Sequence, residues 1–199
     1  MTVLRLSKSL NKRWIKMLTL INKDFPIWEV TEFEVPNFNY ILSNPRNYTQ
    51  PGHDNKGLRQ SIKIPQEVNL AWHKSCQPIQ EMLRTCDELV VDDMWKGRLK
   101  DLSWPDPEYS HVDVLLDKPG FMMYPHVDNR FVLGVVIINL QDNPKDSGTY
   151  YEQLDYRAPT QKGTGTFMLN HTNTLHSINQ PGPTNRLIGY QTITIALIT

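Results

Sequence analysis

The chain has 199 residues, of which 39% are hydrophobic and 21% charged, a size and composition that fit one soluble globular domain with a core of its own. Its 21 Lys and Arg balance 21 Asp and Glu, so no net field draws it to a polyanion, and no apolar run reaches the ~20 residues of a membrane span. Neither a nucleic acid nor a membrane is therefore an expected partner.

The first 23 residues carry six Lys or Arg and no acid. Leu10, Trp14, Met17, Leu18 and Ile21 fall on one helical face, so the spacing predicts an amphipathic helix over 8–22. Its plain reading is a packed helix with a solvated basic face; a mitochondrial targeting peptide or a phosphate-touching surface is the alternative. From Phe25 to Ile64 the chain is punctuated by Pro26, Pro36, Pro45, Pro51 and Gly52. WEVTEFEV predicts a strand near 28–35, and NPRNYTQPGHDNKG is loop by composition.

After Pro65, VNLAWHKSC reads as a helix ending before Pro78, which can open a second one. Ile79, Met82, Leu83, Cys86, Leu89 and Val90 keep the spacing of a buried stripe, which makes Cys86 a core thiol and leaves His73 on the helix surface. On one helix Cys76 and Cys86 would stand about 15 Å apart, too far to bridge. Two unpaired thiols point to a reducing compartment, with the cytoplasm as the expected location. LSWPDPEYS then breaks the helical pattern.

From His111 onward the sequence is a series of short strands between Gly/Pro turns: HVDVLLD, FMMYPHVD, FVLGVVIINL, TYYEQL, GTGTFMLN, TLHSI and RLIGYQTITIALIT. Such a series predicts a sandwich or barrel, and a jelly roll lets distant strands share one interior. The expected fold is thus mostly β with flanking N-terminal helices. Residues 1–107 give irregular and helical support, and 108–199 form the β core of a single domain.

Two residues apart on a strand, a histidine and an aspartate point the same way and can serve one ion. The tripeptide HVD occurs twice, at His111-Val112-Asp113 and His126-Val127-Asp128, and His171 and His176 both follow at a distance. Either copy with a later histidine makes two imidazoles and a carboxylate, the face that leaves half an octahedron open in non-haem Fe(II) oxygenases. Arg186, with its planar fork, suits the far carboxylate of a dicarboxylate chelated by the metal.

The order HxD, about fifty residues, H, ten residues, R resembles the Fe(II)/2-oxoglutarate-dependent dioxygenases, and HVDN after a Pro-Gly turn resembles the prolyl 4-hydroxylase-like branch. The resemblance covers roughly residues 108–198 and selects His126, Asp128 and His176 as metal ligands, because the second HVD stands fifty residues before His176 and Arg186 ten after it. It implies a double-stranded β-helix (jelly roll, cupin-like), with Fe(II) as metal, 2-oxoglutarate as co-substrate on Arg186, O2 as oxidant and ascorbate as an accessory reductant. Succinate and CO2 would accompany hydroxylation of a C–H bond, on a prolyl or other peptide side chain or a small molecule. Tyr124, as an inward strand neighbour, and Asn139 and Thr192, as polar strand residues, are expected beside the co-substrate.

Two positions depart from that branch. Lys118 stands where a tyrosine usually precedes the Pro-Gly turn, and Ser147-Gly148 where Gly-Gly is usual. Ile188 and Thr192 occupy places where nucleic-acid demethylases want basic and polar residues, which ranks base repair below peptide hydroxylation. Two other classes use the same residues: a non-catalytic jelly-roll binding module that keeps a metal for stability, and a four-coordinate zinc hydrolase, in which Arg186 has no obvious task.

Overall fold

A computed structural model of the protein describes residues 17–22, 24–43, 48–49, 57–85, 104–108, 110–180 and 182–194. Eight strands form one antiparallel sheet: β1 (Leu18–Asn22), β2 (Phe25–Val30), β3 (Tyr48–Thr49), β4 (Arg59–Ile62), β5 (Asp113–Asp117), β7 (Val132–Asn139), β10 (Gly165–Leu169) and β12 (Arg186–Thr194). Their order is β1-β2-β10-β7-β12-β5-β4-β3. A smaller sheet joins β6 (Met123–His126), β11 (His176–Ile178), β8 (Tyr150–Tyr151) and β9 (Tyr156–Arg157), in that order. The chain is thus mostly β, a jelly roll with helices on the outer face of its larger sheet.

The central strand β7 is apolar from Val132 to Ile138 because both of its faces are covered. Val135 and Ile137 point inward, into a cluster with Leu115, Met168 and Ile188 from the large sheet and Tyr151 from the small one. Val136 and Ile138 point outward, where Trp28, Trp72, Ile79 and Phe167 form the second core.

Helices α2 (Gln66–Ser75) and α3 (Gln77–Thr85) follow the short α1 (Asn39–Leu42). Extended Pro65 caps α2, and its carbonyl accepts from the amides of Val68 and Asn69. Trp72 packs onto β12, where a Cβ on Gly189 would come within 2.3 Å of the indole. Glycine at 189 therefore lets the helix approach the sheet. The Trp72 Nε1–H donates to Gln191 Oε1 at 2.7 Å, so the buried indole keeps a partner.

Three expectations are corrected. Leu18–Asn22, expected in a helix, forms β1 and pairs with β2. Its Thr19 and Ile21 suit a strand, and the pairing outweighs helical spacing; residues 8–16 of that helix lie outside the described residues. The strand expected near 28–35 is β2, which starts earlier, its ladder with β1 reaching Phe25 through a register shift beside Pro26, and ends earlier because Glu32 turns to φ 56. His73 is buried rather than on the helix surface: Trp104 Nε1–H donates to its Nδ1 at 3.2 Å, and its Nε2 lies 3.0 Å from the Ser110 carbonyl. Cys76 and Ile79 are buried, whereas Cys86, Leu89 and Val90 lie outside the described residues.

Candidate active site

Pairing of β6 with β11 sets His126 directly opposite His176, with ring centroids 4.4 Å apart. Each ring is oriented by one bond: Nδ1 of His126 lies 2.9 Å from the Tyr124 carbonyl, and Nδ1 of His176 lies 2.9 Å from that of Thr174. A neutral imidazole that donates at Nδ1 keeps its lone pair on Nε2. Both Nε2 atoms face Asp128, at 3.9 Å from Oδ1 for His126 and 4.0 Å from Oδ2 for His176. The three ligand atoms lie within 4.8 Å of one another, close enough for one ion, and they form the one such group found among the described residues.

Burial holds His176 below the ordinary histidine pKa, more than the charge of Asp128 raises it, and so favours the neutral, ligating form. Oδ2 of Asp128 is buried and accepts no hydrogen bond. A buried carboxylate oxygen left so is unfavourable unless a cation meets it. Two nitrogens and one carboxylate, with that oxygen unsatisfied, fit a ferrous ion with open coordination positions.

His126, His176 and Arg186 line one cavity of about 840 Å³ between the sheets. Its charged wall is a row across three neighbouring strands: Arg59 on β4 and Arg186 on β12 both stand opposite Asp117 on β5. Arg186 is 3% exposed and donates from Nη1 to Asp117 Oδ2 at 2.9 Å and from Nη2 to Thr149 Oγ1 at 3.2 Å. Arg59 grips the same carboxylate from the other side, Nε to Oδ1 at 2.6 Å and Nη2 to Oδ2 at 3.0 Å, with its guanidinium over the Phe121 ring. The buried Nε of Arg186 has no partner. Burial pulls the Arg186 pKa down from its ordinary value; Asp117 opposes this, and Arg59 adds to it.

Of the remaining sequence candidates, Tyr124 lines the cavity while Asn139 and Thr192 do not. Tyr124 is among the lining residues, but its side chain is 86% exposed, and its carbonyl serves His126. Asn139 is buried, but its amide donates to the carbonyls of Pro159 and Thr164 and its Oδ1 accepts from Asn143, so it serves a turn and not the cavity. Thr192 stands opposite Val135 on β12 and is not among the cavity-lining residues. His111 is exposed, and His171 Nδ1 accepts from the Asn173 amide; neither joins the metal group. The sequence reading missed Asp117, Arg59 and Thr149. Asp117 alone carried a signal, as a carboxylate at an inward position of an apolar strand.

No protein-family model and no curated protein matches the sequence. Among solved structures, the chain is similar to the viral collagen prolyl hydroxylase of Paramecium bursaria Chlorella virus-1 in its 2-oxoglutarate complex. The identity is 17%, the TM-score 0.50, and the match covers 86% of this chain and 96% of that one. It is also similar to the dioxygenase for auxin oxidation 1 of Arabidopsis thaliana, solved with 2-oxoglutarate, at 10% identity and a TM-score of 0.51, over 89% of this chain and 86% of that one. The likeness is one of fold: this chain has the jelly roll of 2-oxoglutarate oxygenases, prolyl hydroxylases included. Among the described residues no helix is long and apolar enough to cross a membrane.

Proposed function

We propose that this protein is an Fe(II)- and 2-oxoglutarate-dependent dioxygenase that hydroxylates a C–H bond, on a prolyl or other peptide side chain. The observation that carries the reading is the meeting of a His126/Asp128/His176 group, whose Asp128 Oδ2 is buried and unsatisfied, with a buried arginine whose Nε is unsatisfied too, both histidines and the arginine lining one cavity. A ligand triad by itself, or a buried arginine by itself, is compatible with a purely structural role. Together they match the two ends of a 2-oxo dicarboxylate.

His126, Asp128 and His176 would hold the metal, and Arg186 would take the distal carboxylate of 2-oxoglutarate. When bound, iron with the 2-oxo acid supplies the oxidising chemistry that turns O2 and 2-oxoglutarate into succinate, CO2 and a hydroxylated product. The protein's part is placement. The carbonyls of Tyr124 and Thr174 fix both imidazoles as Nδ1–H tautomers, Thr149 and Asp117 aim the guanidinium, and inward Leu115, Ile137 and Ile188 keep the cavity dry.

A peptide substrate is supported by the mouth. Met122 and Tyr124, exposed large side chains at the start of β6, the edge strand of the small sheet, line the cavity. Pro125 suits such an edge. Exposed apolar groups around an opening mark a contact surface.

Anaerobic titration with Fe(II) and then 2-oxoglutarate tests the reading: a visible charge-transfer band should form, and proline-rich peptides should drive succinate release in air. Absence of the band, with no 2-oxoglutarate turnover on any peptide, would overturn it.

A further inference from the structure

The first HVD copy takes no part in the metal group, yet its aspartate returns to the same cavity. Asp113, Leu115 and Asp117 alternate onto the inward face of β5, so Asp113 stands four residues, about 13 Å, along the strand from the Asp117 that holds Arg186. Its cross-strand partner is Tyr190, which lines the cavity too. Burial raises the pKa of the Tyr190 hydroxyl, and the charges of Asp128 and Asp113 raise it further, so Tyr190 is within electrostatic reach of both carboxylates. Asp113 therefore belongs to the metal end of the cavity, with the arginines at the other.

Resting on the function proposed above, we infer that Asp113 is a specificity-determining residue of the substrate subsite: its carboxylate takes the cationic head of a lysyl or arginyl side chain, so the peptide substrate carries a basic residue at or next to the one hydroxylated.

Among the described residues no hydrogen bond or ion pair reaches the Asp113 carboxylate, whereas Asp117, on the same face, is gripped by arginines. Asp113 is open to an incoming group, yet partial desolvation in the cavity raises its pKa, with exposed His111, two residues back, opposing. A carboxylate so placed gains from a ligand cation what its surroundings do not supply. The walls beside it suit the rest of a basic side chain. Leu115 and Ile188 pair two residues along from Asp113 and Tyr190, and Ile137 stands opposite Tyr190, all lining the cavity. An apolar wall covers the methylene stem of a lysine or arginine, and the Tyr190 ring adds an aromatic face near the charge.

Protein loaded with Mn(II) and 2-oxoglutarate is titrated in a calorimeter with proline-flanked pentapeptides that differ only in a central lysine, glutamine or glutamate. The parent should bind the lysine peptide roughly three- to tenfold more tightly than the glutamine one, the scale of a partly screened ion pair, and added salt should shrink the preference. Asp113→Asn should lose the preference, with Mn(II) and 2-oxoglutarate binding as the control that it is folded. Asp113→Lys should reverse it and favour the glutamate peptide. No lysine preference in the parent, or the same preference in Asp113→Asn, marks a solvated carboxylate only and overturns the inference while the oxygenase reading stands. If the parent binds Mn(II) but not 2-oxoglutarate, it is the oxygenase reading that falls, and the inference goes with it.

Discussion

His126 and His176 make the same hydrogen bond: in each, Nδ1 lies 2.9 Å from the carbonyl oxygen two residues back, Tyr124 for one and Thr174 for the other. One backbone device, used on two facing strands, presents two Nε2 lone pairs to Asp128. Replacing His126 or His176 by Ala, or Asp128 by Asn, should weaken Mn(II) binding by roughly a hundredfold or more, since three ligands become two or lose their charge. His111→Ala, outside the group, should leave it unchanged. Electron paramagnetic titration of free Mn(II) reads both.

Arg186 tests the far end of the same site. Arg186→Lys keeps the charge but loses the fork that spans Asp117 and Thr149. Binding of 2-oxoglutarate should weaken about tenfold or more while Mn(II) affinity holds. Calorimetry with each ligand in turn separates the two ends; equal loss of both would mean that the cavity itself had collapsed.

Gly189 is a test of packing with no part in chemistry. A Cβ there would come within 2.3 Å of the Trp72 ring. Gly189→Ala should cost about 1–3 kcal/mol in urea unfolding, the usual penalty for overfilling a packed contact. Mn(II) binding to the folded fraction should persist.

Acid sensitivity should come in part from His73. Burial lowers its pKa from the ordinary 6.5, with the Ser110 carbonyl opposing, and its Nδ1 accepts the Trp104 N–H, a bond that a protonated ring cannot keep. The unfolded chain therefore binds this proton more readily than the folded one. Stability conferred by neutral His73 is full above pH 6.5 and drains away as pH falls below it toward the folded pKa. Urea midpoints of the metal-free protein measured between about pH 7.5 and 5 should drop with pH, and the drop should be smaller in His73→Gln.

The strands after His111 were legible from period-two patterning, whereas His126, Asp128, His176 and Arg186 stood out from the first HVD copy and His171 only through the resemblance to the oxygenases. The segment Leu18–Asn22 was not legible, since its apolar side chains fit a helical face and a strand equally well until a partner strand decides. His73 looked exposed because what covers it, Trp104, lies far along the chain. Arg59 was illegible for a related reason: RQSI is short and polar, and only its pairing with β5 brings it beside Asp117.

That pairing has a consequence for how the molecule is made. Strand β4 meets β5 only after a detour of some fifty residues, and its alignment there decides which way Arg59 looks. An error of a single step along β5 would turn that side chain to the helical layer and hand its place to a neighbour without charge. Chains that matured with the wrong step could still close their β shell, yet Asp117 would lose the two-pronged grip of Arg59.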